Sequence, residues 1–298
     1  MLQEEPLCFV FLEDKRLWYP ASSSVWDAVA GLTPGDVAFL RGMVTPVAIP
    51  LHFSVSPQEH GGPASHIIGK GSGASSKQAL CFLVQESHMP PAMQEGRILP
   101  IRTLLAELHG SDTDVLSRFL RIFHLFQWLD VSRYCGRCGA QNELAPDEMA
   151  RLCPVCGRRE YPRISPAVMV AVTDDEGRLL LAHNAHFRAG LYSVIAGFVE
   201  AGETLEAAAA REVLEETGIV IDSIQYVASQ SWPFPDSLMV GFTAHARTTT
   251  IQVDNREILD ARFYRPEELP DIPLPGSLSR MLIEHWLAQH TDRSPYHQ

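Results

Sequence analysis

No run of 18 apolar residues occurs anywhere in this chain of 298 residues, which excludes a conventional membrane-spanning helix. Basic residues are in short supply as well. With 24 Lys and Arg against 36 Asp and Glu, the formal net charge of −12 favours solubility and opposes nonspecific attachment to nucleic acid or anionic membrane. An anionic ligand would have to be held locally, by a metal or a few arginines. There are only six cysteines and four of them cluster, so Cys8 and Cys81 are left as unpaired thiols, as expected in a reducing compartment. The N-terminal MLQEEPLCFVFLEDKR has acids ahead of a short apolar run and no small-residue cleavage site, which predicts a cytoplasmic protein. No internal repeat is present. A hydrophobic content of 46% is ample for buried cores, and the length suggests about two domains.

The pattern along the chain predicts an α+β protein in three parts: a β-rich N-terminal domain at 1–131, a ribbon at 132–161 and a mixed α/β domain at 162–298. In the first part, apolar runs at Cys8 to Leu12 and Val37 to Leu40, broken by Pro and Gly, read as short strands. A segment rich in Ser, Gly, Pro and His, at about 54–78, reads as a flexible insertion. Its neighbourhood holds His52, His60 and His66, which lack regular ligand spacing and are read as loop residues. Val115, Leu116, Phe119, Leu120, Phe123, Phe126 and Leu129 recur at helical spacing, so a linking helix precedes the clustered cysteines and its aromatics belong to a core. In the third part, Ala167 to Val172 and Leu179 to Ala182 flank the turn residues Asp174, Asp175 and Gly177 as a hairpin. Tyr192 to Ile195, Ile224 to Val227 and Leu238 to Ala246 read as further strands, and Leu278 to Gln289 as a closing amphipathic helix.

The segment GFVEAGETLEAAAAREVLEETGI, Gly197 to Ile219, carries the strongest chemical signal. Thr204 is placed as an N-cap, Glu206 lies in the first turn and Gly218 stops the helix. Within that helix Glu212, Glu215 and Glu216 stand at i, i+3 and i+4 and share one face. Unpaired, they repel one another. A hard divalent cation such as Mg²⁺ or Mn²⁺ removes the repulsion, prefers carboxylate oxygens and keeps positions open for water and phosphate. A solvated acidic face is the bland alternative; the framing glycines, the cap, Glu203 and Arg211 argue against it.

The cysteines lie in CGRC (Cys135, Cys138) and CPVC (Cys153, Cys156), fourteen residues apart, close to the spacing of a four-thiolate zinc site. Gly139 and Gly157 follow the two pairs and supply the backbone freedom such knuckles need. Four thiolates leave no open coordination position, so this zinc is expected to be structural. Its binding, on the order of 10 kcal/mol, would order a ribbon with almost no core. A redox Cys-x-x-Cys is the rival reading, weakened by the duplicate and the absence of a thioredoxin-like context. The ribbon is mildly basic through Arg133, Arg137, Arg151, Arg158, Arg159 and Arg163.

Beyond the helix, SQSWPFPDS (Ser229 to Ser237) alternates aromatics with proline, a composition expected to stiffen the segment into an extended shape that presents Trp232 and Phe234 as ring-binding surfaces. A core-packing loop is the alternative. Gly197, Glu203, Arg211, Glu212, Val213, Glu215, Glu216, Gly218 and Ile219 match the Nudix box at every fixed position. The order of four-cysteine ribbon, Nudix box and SQ-x-WPFP-x-S loop resembles the NADH pyrophosphatase branch of the Nudix hydrolases, also described as NAD-capped RNA decapping enzymes. That resemblance is close from about Tyr134 to Trp286 and loose before it; Ser231 stands where the family usually has Pro.

The resemblance implies a Nudix α/β/α sandwich with a mixed sheet and metal-dependent hydrolysis of NADH or NAD⁺ to AMP and the nicotinamide mononucleotide. It also implies removal of the NAD cap from RNA; the ribbon arginines could then contact the strand, but a cap can also be read as a small molecule. Position by position, Glu212, Glu215 and Glu216 correspond to the box glutamates that bind Mg²⁺ or Mn²⁺, Glu257 to a further metal-linked glutamate and Ala196 to a backbone carbonyl ligand. Gln230, Ser231, Trp232, Pro233, Phe234, Pro235, Asp236 and Ser237 correspond to the substrate loop, and Arg102, Glu148, Tyr161 and Ser279 to further substrate contacts. Phe198 resembles an adenine-stacking aromatic. The family is homodimeric, with no membrane partner. Competing readings are a Nudix hydrolase of ADP-ribose or dinucleoside polyphosphates and a zinc-ribbon RNA-binding protein with weak catalysis.

Overall fold

Alternation in LCFVFL sends Cys8, Val10 and Leu12 to one face of strand β1 (Leu7–Leu12) and Phe9 and Phe11 to the other, and all five side chains are buried. Such a strand needs cover on both faces. In the computed structural model the described residues are 7–12, 16–20, 32, 40, 47–50, 78–84, 89, 91–101, 103, 113–253 and 255–291. The chain divides into two compact units, Met1–Arg163 and Ile164–Gln298. In the first unit, β1 is central in a five-stranded sheet with β2 (Arg16–Tyr19), β3 (Val47–Pro50), β4 (Gln78–Val84) and β5 (Arg97–Pro100), ordered β3-β4-β1-β2-β5. Only β1 and β4 run parallel. Helix α1 (Thr113–Val131) covers the Phe9 and Phe11 face with Phe119, Phe123 and Phe126, at ring separations of 4.9–6.2 Å. These aromatics are core, as their spacing predicts. On the other face Trp18 packs with Leu32, Leu40 and Met93, and its Nε1 donates to the Met93 carbonyl at 3.0 Å.

Several sequence expectations fall beyond the described residues: the insertion at 54–77, the histidines His52, His60 and His66, Arg102, and residues 37–39. Gln78 already belongs to β4, and Leu40 has 3₁₀ rather than strand backbone. After α1 the chain forms a three-stranded ribbon from β6 (Glu143–Leu144), β7 (Arg151–Leu152) and β8 (Arg159–Glu160).

The second unit is a mixed sheet between two helices. Strands β9 (Ser165–Thr173), β10 (Leu179–Asn184), β11 (Ile195–Phe198), β12 (Ile221–Trp232), β13 (Ser237–Ala246) and β14 (Ile258–Tyr264) assemble in the order β12-β13-β9-β10-β14, with β11 paired to β9. The β13 and β9 pair is parallel and the others are antiparallel. Alternation along β9 sends Val168, Val170 and Val172 toward α2 (Leu205–Thr217), which contributes Ala208, Ala209 and Val213. Ala167 and Ala171 point the other way, to Leu278, Leu282, Ile283 and Trp286 of α3 (Leu278–Thr291). Among the described residues no helix is long and apolar enough to cross a membrane.

Three elements differ from the sequence expectations. The strand leading into the acidic segment starts at Ile195, Leu191 and Ser193 making only isolated bridges. β14 was not anticipated at all. SQSWPFPDS is not one extended stretch: Ser229 to Trp232 end β12, Ser237 opens β13, and residues 233–236 are the turn between them. Pairing decides this, since Gln230, Ser231 and Trp232 register with Met239, Leu238 and Ser237. A ladder satisfies backbone groups that an isolated extended segment would leave to water.

Candidate active site

Helix α2 is built as its sequence dictates. Thr204 accepts a hydrogen bond from the Ala207 amide at 3.1 Å, and Gly218 closes the helix at φ 71°, its N–H donating to the Leu214 carbonyl. Ala208, Ala209 and Val213 bury one face, and the adjoining face carries Glu212, Glu215 and Glu216. Glu216 is buried at 6% exposure, whereas the Glu215 side chain is 60% exposed. The Glu212 carboxylate lies against the Cα of Gly197 so closely that a Cβ there would stand 1.9 Å from its carboxyl carbon. Glycine is required at that position to let β11 and α2 approach.

Arg211 organises the carboxylates. Its Nε and Nη2 donate to the two Glu203 oxygens at 2.6 and 2.9 Å, Nη2 also to the Phe198 carbonyl at 2.9 Å, and Nη1 to Glu212 and Glu215 at 2.9 and 3.0 Å. All five donors of the guanidinium are engaged. Those bonds hold the Glu203 carboxyl down at about 2. For Glu212 the balance is opposite: burial pushes its carboxyl up, against the pull of Arg211. A half-buried carboxylate disfavoured as an anion gains most from a nearby cation.

These groups line a cavity of about 810 Å³ within the second unit. Glu212, Glu215, Glu216, Glu257 and Ala196 contribute to its wall, an all-oxygen donor set of the kind hard divalent cations select. Glu257 comes from the segment before β14 and is anchored by the Ala185 amide, which donates to its carbonyl at 2.8 Å. Phe198, Trp232, Phe234 and Ser237 line the same cavity. The Trp232 and Phe234 rings meet edge to face at 5.2 Å, and Phe198 is 55% exposed. The turn between β12 and β13 is fastened by the Ser165 amide, which donates to the Asp236 carbonyl at 2.9 Å.

Other expected site residues stand apart from this lining. Gln230 uses its amide on the approach to α3, donating to the Gly276 carbonyl and accepting from the Leu278 amide, both at 2.8 Å. Ser279 is buried, its Oγ 2.6 Å from that of Ser193. Ser231 and Pro235 are exposed and Pro233 is buried. In the first unit, Tyr161 donates to Glu148 Oε1 at 3.0 Å, and Arg159 bonds the same oxygen at 2.5 Å while forking onto Asp147 at 3.0 and 3.1 Å. Sequence reading missed Ala167, Glu200, Met239 and Arg256 in the cavity wall. For Arg256 a signal was present, its adjacency to Glu257.

The ribbon cysteines converge. Their four Sγ atoms lie within 4.8 Å of one another, with Cys135 and Cys156 3.7 Å apart and Cys138 and Cys153 3.5 Å apart. Tetrahedral zinc with arms of about 2.3 Å separates its sulfurs by roughly 3.8 Å. Each knuckle turns on a left-handed glycine, Gly139 at φ 74° and Gly157 at φ 70°, whose amides donate to the carbonyls of Cys135 and Cys153. Backbone amides aimed at sulfur, first that of Arg137, bring the Cys135 thiol down to about 6, and those of Cys156 and Val155 lower Cys153, whereas at Cys138 the Ala140 amide is outweighed by the neighbouring sulfurs, which push its thiol up.

Comparison with known proteins gives the same division of chemistry. A NUDIX domain profile matches residues 163–284, and an NADH pyrophosphatase zinc ribbon domain profile matches residues 131–161. The NAD-capped RNA hydrolase NudC of Shigella boydii is 47% identical over 207 residues, 70% of this chain and 76% of that protein. Its namesake in Escherichia fergusonii is 43% identical over 186 residues, 60% of this chain and 72% of that one. Among solved structures, a NUDIX hydrolase from Nitrosomonas europaea aligns with a TM-score of 0.46 at 23% identity, covering 54% of this chain and 94% of that one.

Proposed function

The chain belongs to the Nudix hydrolases that carry the NADH pyrophosphatase zinc ribbon, and from that premise we propose that it hydrolyses the pyrophosphate linkage of NADH and NAD⁺ and removes the NAD cap from RNA 5′ ends. The products are AMP and the nicotinamide mononucleotide, or a 5′-monophosphate RNA in place of AMP. One observation carries this reading: five glutamates and the Trp232 and Phe234 rings line one cavity, whose volume is within the roughly 300–1,000 Å³ of small-molecule sites.

Water attacks one phosphorus, the bridging P–O bond breaks, and its electron pair leaves with the other phosphate. Glu212, Glu215, Glu216 and Glu257, with the Ala196 carbonyl, would hold Mg²⁺ or Mn²⁺, which when bound would lower the pKa of water and neutralise charge on the phosphates. Glu216 or Glu215 accepts the proton from the attacking water. Arg211 fixes Glu212 and Glu215 in place, so that little reorganisation remains when substrate arrives. Phe198, Trp232 and Phe234 offer ring faces to base and nicotinamide, which the catalytic carboxylates cannot distinguish. In the ribbon, Zn²⁺ on Cys135, Cys138, Cys153 and Cys156 serves structure alone, its coordination being filled by protein. The family resemblance further supports a cytoplasmic homodimer in which Glu148 and Tyr161 contact substrate. It also supports the three-part division at 131/132 and 161/162.

The test is Glu216→Gln with zinc content and circular dichroism matched to the parent. Turnover of NADH is expected to fall by at least ~100-fold. AMP release at the parental rate would sink the assignment.

A further inference from the structure

We infer that the knuckle end of the ribbon, through Arg137 and Arg158, binds the phosphate backbone of a single-stranded RNA. The inference deepens the proposed function and rests on it for capped RNA as the partner. It begins from local charge. Residues 133–142 and 151–159, the two segments that carry the ribbon cysteines, hold five arginines and no carboxylate, in a chain whose net charge is −12. A polyanion repelled by the chain as a whole would be met by cations here.

Three of the five arginines are spent within the fold. Arg133 pairs with Asp130, Arg151 donates to the Leu129 carbonyl at 2.8 Å and to Ser132 Oγ at 3.4 Å, and Arg159 is shared between Asp147 and Glu148. Arg137 and Arg158 are exposed, and neither side chain has a hydrogen bond or ion pair among the described residues. The two belong to one end of the ribbon. Arg158 Nη1 lies 3.5 Å from where a Cβ on Gly136 would stand, so the guanidinium of the second knuckle reaches the first at the residue before Arg137. Convergence of the four Sγ atoms fixes both knuckles on one centre. Tyr134 and Val155, each next to a ligand cysteine, are exposed on the same knuckles and offer apolar surface to unstacked bases. Guanidiniums beside an exposed ring are the combination that single-stranded nucleic acid selects. A four-thiolate zinc centre is itself anionic, so arginines near it also offset its charge, and the two roles differ in what their loss changes.

The experiment uses the full-length, zinc-loaded protein as parent, as Arg137→Gln/Arg158→Gln and as Arg137→Lys/Arg158→Lys. Fluorescence anisotropy follows binding of a 3′-labelled, 5′-monophosphate single-stranded RNA about 20 nucleotides long, a product that is not consumed, over a series of salt concentrations. The glutamine pair is expected to weaken binding roughly 10-fold at about 0.1 M salt and to reduce the slope of log affinity against log salt by about 1.4, two contacts at ~0.7 each. The lysine pair should keep the slope. Hydrolysis of NAD-capped RNA by the glutamine pair should lose a similar factor in kcat/KM while hydrolysis of NADH and zinc content stay at the parental level. Parental RNA affinity and slope in the glutamine pair would overturn the inference. So would loss of zinc, or an equal fall in turnover of NADH and capped RNA, because either assigns the arginines to holding the ribbon together. If the parent turns over neither NADH nor capped RNA while the glutamine pair still loses RNA affinity and slope, the pyrophosphatase reading fails and the RNA surface stands.

Discussion

At the scale of single residues, the cavity depends on small spatial tolerances around α2. A Cβ at position 197 would collide first with the Glu212 carboxylate, whose three atoms would be its nearest neighbours at 1.9–2.2 Å, so the flexible end of that side chain must give way. Gly197→Ala is therefore expected to cost little stability, within about 1 kcal/mol, while misplacing a carboxylate by an ångström or so. Turnover should drop by about 100-fold, and Mn²⁺ titration should show weakened binding at an unchanged urea midpoint. The Arg211 and Glu203 pair makes a pH prediction. With the folded carboxyl held at about 2 and its ordinary value at 4.5, the stabilisation is complete above about 4.5 and disappears as pH falls toward 2. The stability difference between the parent and Glu203→Gln, followed by urea denaturation, should be constant at neutral pH and close in that acidic window. A difference that grows on acidification would contradict the ion pair.

At the scale of elements, α2 owes its limits to residues at its own ends. Thr204→Ala removes the bond to the Ala207 amide and should cost about 1 kcal/mol. Gly218→Ala forces a Cβ into φ 71° and to 3.1 Å from the Gln252 side chain, at a cost of about 1–2 kcal/mol. The two sites lie at opposite ends of a 13-residue helix, so the double variant should show the sum in urea denaturation. Such local determinants are why α2, the cysteine knuckles and α1 could be read from sequence. Elements defined by distant partners could not. ILDARFY mixes apolar and polar residues without strict alternation, and it becomes β14 only because β10, some eighty residues earlier, pairs with it. Proline and aromatic content suggested a stiff extended loop for SQSWPFPDS, yet register with β13 makes most of it hairpin. Arg256 adjoins Glu257 in the sequence, but the left-handed turn at Asn255 that precedes it in the cavity wall was not read from the residues there. The amide of Gln230, assigned to substrate by resemblance, is occupied at the start of α3, a contact that no local pattern announces.

At the scale of the whole molecule, stability is supplied in two different ways. The second unit has an apolar core on each face of its sheet, whereas the ribbon has three two-residue strands and four converging thiols. Chelation of zinc should accordingly release hydrogen-exchange protection between residues 135 and 160 and leave the amides of β9 to β14 protected. Simultaneous loss of protection in both regions would show that zinc holds more than the ribbon. The same division explains what the sequence disclosed about function. Carboxylate spacing on one helix announced metal-assisted phosphate chemistry, whereas the Trp232 and Phe234 rings that line the same cavity are brought there by the end of β12 and the turn after it. The central claim is that this chain cleaves a pyrophosphate, and it is tested most directly by incubating the purified protein with NADH in H₂¹⁸O, with Mg²⁺ or Mn²⁺ and with chelator, and resolving products by mass spectrometry. The account predicts equal amounts of AMP and reduced nicotinamide mononucleotide, one ¹⁸O in a phosphate of the pair, and no turnover in chelator. Released nicotinamide with an intact ADP-ribose moiety, or an unlabelled phosphate pair, would contradict it.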